Sequence, residues 1–210
     1  MKILILSLLL IQSAFATTNR EGFWYGTFAN KSLTDKFSYW IEGQLRYRVD
    51  QGQVGQFLYR TGLIQKLNSN HSLAYLYAHI RSRGFYEHRL ALQHGMKYGS
   101  LLNHKFSHRV RFEFRDLEDN DKNATRFRYL LRADQNKEQG FSLVVWDEVF
   151  INTTKTTWNG NDSMDRNRFF LGFKYPFLSK NRMEFGYLNQ YIPRDSGDIS
   201  EHLLVAYLFI

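Results

Sequence analysis

The sequence contains no cysteine and only two prolines, Pro176 and Pro193, among its 210 residues. The lack of cysteine excludes a disulfide framework and any metal site built from thiolates. Both prolines fall near the ends of proposed strands, where a missing backbone donor is tolerated. Beyond the first residues, no apolar run approaches the roughly 20 residues that a membrane-spanning helix needs. We therefore expect the fold to depend on backbone pairing between strands.

The amino-terminal stretch "MKILILSLLLIQSAFATT" has the pattern of a secretory signal. Lys2 supplies a positive charge, and an apolar run from Ile3 to Ile11 follows it. Ala14 and Ala16 place small residues where a signal peptidase requires them. The pattern predicts that residues 1–16 are a cleaved signal peptide and that the rest of the chain is exported.

The composition combines many aromatic residues with an excess of positive charge. There are 18 Phe, 13 Tyr and 4 Trp, and 28 Lys and Arg against 20 Asp and Glu give a formal net charge of +8. Membrane barrels place aromatic girdles at both interfaces and keep a polar interior. An exported chain is not expected to bind nucleic acid, so lipopolysaccharide phosphates are the more natural anionic neighbour.

The stretch "HRVRFEFRD", residues 108–116, alternates without a break between charged and apolar side chains. Similar alternation recurs from Lys36 to the end, in about ten segments of roughly 9–13 residues. This length fits a tilted strand that crosses a bilayer, whereas soluble strands usually have about 5–6 residues. Connections that alternate between short and longer, more polar segments are also typical of outer-membrane barrels.

The pattern thus predicts an all-β fold, an antiparallel transmembrane β-barrel formed by residues 36–210. Single-chain bacterial barrels have even strand numbers, so about ten strands are expected and twelve are possible. Residues 17–35 include the strand-like "GFWYGTFAN" and are expected to be a lead-in segment or an extra strand.

Several quoted segments resemble a known family. They are "WYGTFANKSLTDKFSYWIEGQLRYR", "RTGLIQKLNSNHSLAYLYAHI", "WDEVFINTT" and "NRFFLGFKYPFLSKNRMEFGYLNQY". Together they are similar to the bacterial proteins grouped as domain of unknown function 2490, over nearly the whole exported chain. The resemblance implies a small outer-membrane β-barrel without an established biochemical role, and it supplies no catalytic residues.

If the apolar face meets lipid, a set of mainly charged side chains lines the interior. The predicted lumen-facing network is Glu42, Arg46, Arg48, Arg60, Arg89, Arg109, Arg111, Glu113, Arg115, Arg128, Arg132, Glu148, Arg168 and Glu184. A narrow interior favours a structural network of ion pairs, because unpaired charges there are costly. The alternative is an anion-preferring narrow pore, since rings of charge select ions. A charge at Phe112 is expected to harm membrane assembly far more than Glu113→Gln.

Three features could indicate other chemistry. Adjacent Asp147 and Glu148 should face opposite sides of a strand, unless a bulge near Trp146 turns both inward for acid–base work. The favoured interpretation is that Glu148 pairs with an interior arginine while Asp147 lies near the outer interface. Ser200, with Glu201 and His202, is the simplest candidate for a Ser–His–carboxylate site. The seven histidines show no zinc signature, and neither a metal nor a cofactor is expected.

The sequence favours a non-enzymatic outer-membrane barrel of a Gram-negative bacterium, either structural or a narrow conduit for small solutes with an arginine-rich lumen. One alternative is a membrane-embedded enzyme that modifies lipid A. Another is a soluble periplasmic barrel that binds an apolar ligand inside. The expected partners are outer-membrane lipids, lipopolysaccharide and the barrel-assembly machinery. The pattern leaves the oligomeric state open.

Overall fold

A computed structural model describes residues 18–101, 103–137, 139–159, 163–178 and 181–210. The predicted signal peptide, residues 1–16, lies outside the described residues and stays a prediction. Across the described ranges, no helix combines the length and the apolar character needed to cross a membrane.

The described residues form eleven strands and one short 3₁₀ turn at Val49–Gln51. The strands are β1 Thr18–Ser32, β2 Phe37–Arg48, β3 Gln53–Lys66, β4 His71–Ser82, β5 Phe85–Leu101, β6 His104–Leu117, β7 Ala124–Gln135, β8 Ser142–Asn152, β9 Met164–Phe177, β10 Asn181–Ile192 and β11 Ile199–Phe209. Each strand pairs antiparallel with the next, and β1 pairs with β11 to close the barrel.

The all-β barrel is confirmed, but the expected strand number of ten or twelve is wrong. Thr18–Ser32 is a full strand of the barrel, which is the extra-strand alternative for this segment and not the lead-in. An odd number of strands makes the first and the last run in the same direction. β1 and β11 are accordingly parallel, with paired residues from Thr18–Ile199 to Phe28–Phe209. The even-number rule assumes that the first and last strands pair antiparallel, whereas β1 and β11 pair in parallel.

The barrel has two rims. We call the rim at Thr18 the N-terminal rim and the rim at Ile210 the C-terminal rim. The connections after β2, β4, β6, β8 and β10 lie at the N-terminal rim, and those after β1, β3, β5, β7 and β9 lie at the C-terminal rim. The longest connection, between Asn152 and Met164, is at the N-terminal rim, which also has the short connection between Ser82 and Phe85.

The lumen is not uniformly polar. Two strands, β4 and β11, turn an apolar face inward, where aliphatic side chains and Tyr207 fill the narrow interior. An apolar cluster occupies the side of the lumen formed mainly by β1 and β8–β11. Its members are Trp24, Phe28, Val144, Trp146, Phe170, Leu188, Leu203, Val205 and Tyr207. The charged side chains are consequently concentrated on the opposite side.

Two facing glycines, Gly172 of β9 and Gly186 of β10, allow the backbones to approach closely beneath this cluster. A Cβ atom on Gly172 would lie 2.4 Å from the carbonyl oxygen of Phe185 and 2.5 Å from the Phe170 ring. A Cβ atom on Gly186 would lie 2.4 Å from the carbonyl oxygen of Leu171. Only glycine fits at these two facing positions.

We expect Gly172→Ala to lower the free energy of unfolding by about 1–3 kcal/mol, because the added methyl group forces backbone or ring displacement. The change is measured by denaturant unfolding of the purified barrel in detergent. Gly43→Ala is the matched control, since a Cβ atom there meets nothing within 4 Å. Equal stability of the two variants would contradict the conclusion that only glycine fits at position 172.

Candidate functional site

The lumen contains a cavity of about 540 Å³ that is strongly cationic. Strand alternation points every second side chain of β2–β9 into it. Twelve arginines line the cavity against four glutamates. The glutamates are Glu42, Glu87, Glu148 and Glu184. The lining therefore carries an excess of positive charge, which salt bridges from Glu113, Asp134 and Asp165 reduce in part.

A buried ion-pair network crosses the charged side of the lumen. Glu113, which is 1% exposed, accepts hydrogen bonds from Arg126 Nη2 and Arg128 Nη1, each at 2.6 Å. Arg128 Nη2 also donates to Glu148 Oε1 at 2.8 Å, and Arg109 Nη2 donates to the same oxygen at 2.7 Å. Each carboxylate thus holds two guanidinium groups, which links β6, β7 and β8 through their side chains.

Further carboxylates hold arginines around the same cavity. Arg60 Nη1 donates to Glu42 Oε2 at 2.6 Å. Glu87 Oε1 accepts from Arg89 Nε at 2.7 Å and from Arg115 Nε at 2.6 Å. These pairs connect β2 with β3 and β5 with β6. They fit the structural network that the sequence favours for a narrow barrel.

Three other arginines are held by glutamine side chains, and one of them, Arg111, also lies 3.6 Å from Glu113 Oε1. We call Arg46, Arg111 and Arg168 the amide-held arginines. Arg46 Nη1 donates to Gln56 Oε1 at 2.6 Å and Arg46 Nη2 to Gln44 Oε1 at 2.8 Å. Arg111 Nε donates to Gln93 Oε1 at 2.9 Å, and Arg168 Nε donates to Gln190 Oε1 at 2.6 Å. A neutral amide positions a guanidinium group without cancelling its charge.

Aromatic rings support several of these guanidinium groups. The Arg46 and Arg168 guanidinium carbons lie 4.0 and 4.8 Å from the centre of the Trp24 ring. Those of Arg128 and Arg168 lie 4.2 and 4.6 Å from the centre of Phe150. Such cation–π contacts hold a cation in place and leave its hydrogen-bond donors free for other partners.

The structure brings thirteen of the fourteen predicted residues together around the main cavity or in its network. Arg48 lies apart, at the N-terminal rim, where it lines a second cavity of about 390 Å³. Its guanidinium group binds Asp50 at 2.6 Å, and these hydrogen bonds hold the pKa of the Asp50 carboxyl below its usual value.

Three buried members of the network were missed by the sequence prediction. Glu87 and Arg126 have the correct alternation but lie near strand ends, where a pattern gives weak guidance on burial. Asp165 sits at a register shift between β8 and β9 and binds Arg126 Nη1 at 2.6 Å. A β-bulge of this kind turns inward a residue that strict alternation assigns to the outside.

The adjacent carboxylates Asp147 and Glu148 separate as the favoured interpretation expects. Glu148 faces the lumen, and Asp147 faces outward, where its carboxylate accepts a hydrogen bond from Asn167 Nδ2 at 3.0 Å. The register shift in β8 falls at Phe150 and Ile151 and not near Trp146. The two carboxylates therefore do not share one site.

Ser200, Glu201 and His202 do not assemble as a triad. Ser200 Oγ lies 3.4 Å from His202 Nε2, but His202 Nδ1 contacts the Tyr187 hydroxyl at 2.6 Å and, within the described ranges, no carboxylate. Glu201 instead accepts a hydrogen bond from Gln190. In the part of the chain that the structure describes, no three His, Cys, Asp or Glu side chains are placed to hold a metal ion.

Comparisons with known proteins agree with this architecture. A family described as "Protein of unknown function (DUF2490)" matches residues 21–201. A solved structure titled "NanC porin structure in rhombohedral crystal form" superposes with a TM-score of 0.53 at 8% sequence identity. The superposition covers 84% of this chain and 92% of the porin. At this identity the likeness shows the fold alone. A search of curated proteins gave no match.

Proposed function

Because the chain belongs to the DUF2490 family, whose function is unknown, we propose a role from the geometry of its barrel: a narrow outer-membrane conduit that prefers small anions. The family membership confirms the resemblance predicted from the sequence motifs. In this proposal the outer face contacts membrane lipid and lipopolysaccharide, and the barrel-assembly machinery inserts the exported chain. The N-terminal rim, which has the longest connection, faces the cell exterior.

The outer surface supports placement in a membrane. Large apolar side chains lie exposed on neighbouring strands all round the barrel, among them Phe23, Phe57, Leu90, Phe112 and Leu171. Soluble monomers rarely expose continuous apolar surface of this extent. The charged side chains are directed inward at the same time. This inverted distribution disfavours the soluble periplasmic barrel with an apolar ligand inside.

The single observation that carries the conduit proposal is the charge of the cavity. Its twelve lining arginines outnumber the four lining glutamates together with Glu113, Asp134 and Asp165, which also pair with them. Fixed positive charge along a narrow lumen attracts anions and repels cations. The cavity shares Trp24, Arg46 and Gln56 with the second cavity, which reaches residues at the N-terminal rim such as Arg48 and Arg83. In this proposal anions enter the lumen from that side.

The lipid-modifying enzyme has weaker support. Of its simplest candidate residues, Ser200 is fully buried, and among the described residues no carboxylate orients His202. A histidine without such a partner lacks the third member of the triad.

The conduit is tested by electrical recording of the purified barrel in a planar lipid bilayer. We expect steady channels whose reversal potential under a potassium chloride gradient shows preference for chloride. Arg111→Gln is expected to weaken that preference, because it removes a lumen charge and leaves Glu113 with Arg126 and Arg128.

Arg81→Gln is the matched control for this recording. It removes the same charge from an exposed side chain on the outer face of β4. Its reversal potential is expected to equal that of the wild type. Absence of channels, or a cation preference in the wild-type barrel, would refute the conduit and favour a plugged structural barrel.

A further inference from the structure

Two of the amide-held arginines, Arg46 and Arg168, have no carboxylate partner within the described residues, in contrast to the paired arginines around them. Their side-chain hydrogen bonds go to the amide oxygens of Gln44, Gln56 and Gln190. The nearby carboxylate of Glu148 acts on Arg168 electrostatically. It is already held by Arg109 and Arg128. Two positive charges are thus left without direct compensation.

The orientation of the glutamines keeps these charges uncompensated. Gln56 directs its oxygen at Arg46 and donates through Nε2 to Ser82 Oγ at 2.7 Å. Gln190 directs its oxygen at Arg168 and donates through Nε2 to Glu201. Both amides are therefore fixed with the acceptor toward the arginine. A glutamate at either position would neutralise the guanidinium group, which the chain does elsewhere in the lumen.

The two guanidinium groups converge on one ring. Both contact Trp24, so their central carbon atoms lie within about 9 Å of one another. An oxyanion that bridges two guanidinium groups through charge-assisted N–H···O bonds of about 2.7–2.9 Å requires a separation within this limit. Arg46 and Trp24 line both cavities and Arg168 lines the main one, so the proposed site reaches the wall that the two cavities share.

Uncompensated charges in a partly buried space are costly unless a counter-charge joins them. A monovalent anion would balance one of the two guanidinium groups and leave the other. An anion with two negative charges balances both. Arginine also suits oxyanions with several acceptors, since its planar fork donates two parallel hydrogen bonds.

We propose that Arg46 and Arg168, positioned by Trp24 and the three glutamines, form a binding site for a divalent tetrahedral oxyanion of the phosphate class. The ligand is either free phosphate or the terminal phosphate group of a small solute. The inference rests on the proposed function in that the anion must enter the lumen. It deepens that function by naming the solute class, and it does not require the anion to pass through.

The test is calorimetric titration of inorganic phosphate into the detergent-solubilised barrel at pH 8 and constant ionic strength, with chloride and acetate titrated in parallel. Phosphate is expected to bind more tightly than either monovalent anion. Glycerol 3-phosphate distinguishes the two sources: tighter binding than inorganic phosphate indicates a phosphorylated solute, and weaker binding indicates free phosphate.

Two substitutions locate the site. Arg168→Gln is expected to weaken phosphate binding by about tenfold or more, as expected for loss of hydrogen bonds to a charged group. Gln56→Glu is expected to weaken phosphate binding similarly, although it removes no arginine. The new carboxylate forms an ion pair with Arg46 and accepts a hydrogen bond from the Ser82 hydroxyl. Arg81→Gln, on the outer face, is the control and is expected to bind phosphate as the wild type does. Circular dichroism and heat-dependent gel mobility confirm that each variant is folded.

The outcomes separate this site from the conduit. Phosphate binding that folded Arg168→Gln and Gln56→Glu leave unchanged overturns the site, as does equal binding of phosphate and acetate. Anion-selective channels without specific phosphate binding also overturn it, although the conduit stands. Specific binding that both variants weaken, in a barrel that gives no channels, supports the site and refutes the conduit alone.

Discussion

Replacing Glu113 with glutamine is expected to lower the free energy of unfolding of the barrel by about 3 kcal/mol or more, since the loss of one partner from a buried ion pair leaves an uncompensated charge. Glu113 is almost fully buried and accepts three hydrogen bonds from Arg126 and Arg128. A glutamine at this position directs its NH₂ group at one of these arginines, and two donor groups that face each other form no hydrogen bond. The remaining partners, Asp165 for Arg126 and Glu148 for Arg128, limit the loss.

Denaturant unfolding in detergent measures this effect. Asp50→Asn is the matched control, because it removes a carboxylate from an exposed ion pair with Arg48 at the N-terminal rim. Exposed pairs contribute about 1 kcal/mol or less, so the control is expected to unfold almost as the wild type does. A Glu113→Gln barrel as stable as the control would show that the central network does not hold the fold.

The second large effect is expected from Phe112→Lys on the outer face of β6. Phe112 is 47% exposed and lies beside Leu92 of β5 and Phe127 of β7 in the register. A lysine on the lipid face near the midplane of a barrel costs about 2–4 kcal/mol. We therefore expect much less folded barrel when the variant is assembled into lipid vesicles.

Heat-dependent gel mobility gives the folded fraction for this experiment. Phe112→Leu is the control, since it keeps an apolar side chain at the same outward position, and it is expected to assemble as the wild type does. If Phe112→Lys assembles equally well in vesicles, this face of β6 does not contact lipid, and the membrane placement of the barrel loses its main support.

The comparison of these two positions shows what strand alternation can predict. Alternation correctly separates Phe112 from Glu113, because side chains two apart share a face. It does not reveal which strands lie opposite in the lumen. The sequence alone therefore underestimates the effect of Glu113→Gln. The two arginines that bind Glu113 lie on β7, and only the folded barrel fixes the register that brings them to it. We now expect Phe112→Lys and Glu113→Gln to destabilise the barrel to a similar degree, whereas strand alternation alone predicts a far larger effect at Phe112.

The remaining differences have similar physical causes. The parity rule for strand number was based on an antiparallel closure, so it excluded β1 from the count. Asp165 was missed because a bulge breaks the alternation at that point. The amide-held arginines cannot be distinguished from paired arginines along the chain, because their partners depend on register. Gln190 and Arg168, for example, are 22 positions apart and meet only through the pairing of β9 with β10.

The parallel seam between β1 and β11 has a consequence for the order of folding. It pairs Thr18 with Ile199, so it joins the two ends of the described chain. Contacts of such long sequence separation carry the largest loss of chain entropy and form slowly. Every other pairing joins neighbouring strands and can form first. The barrel therefore passes through an open curved sheet whose two free edges can pair with another chain until the seam closes.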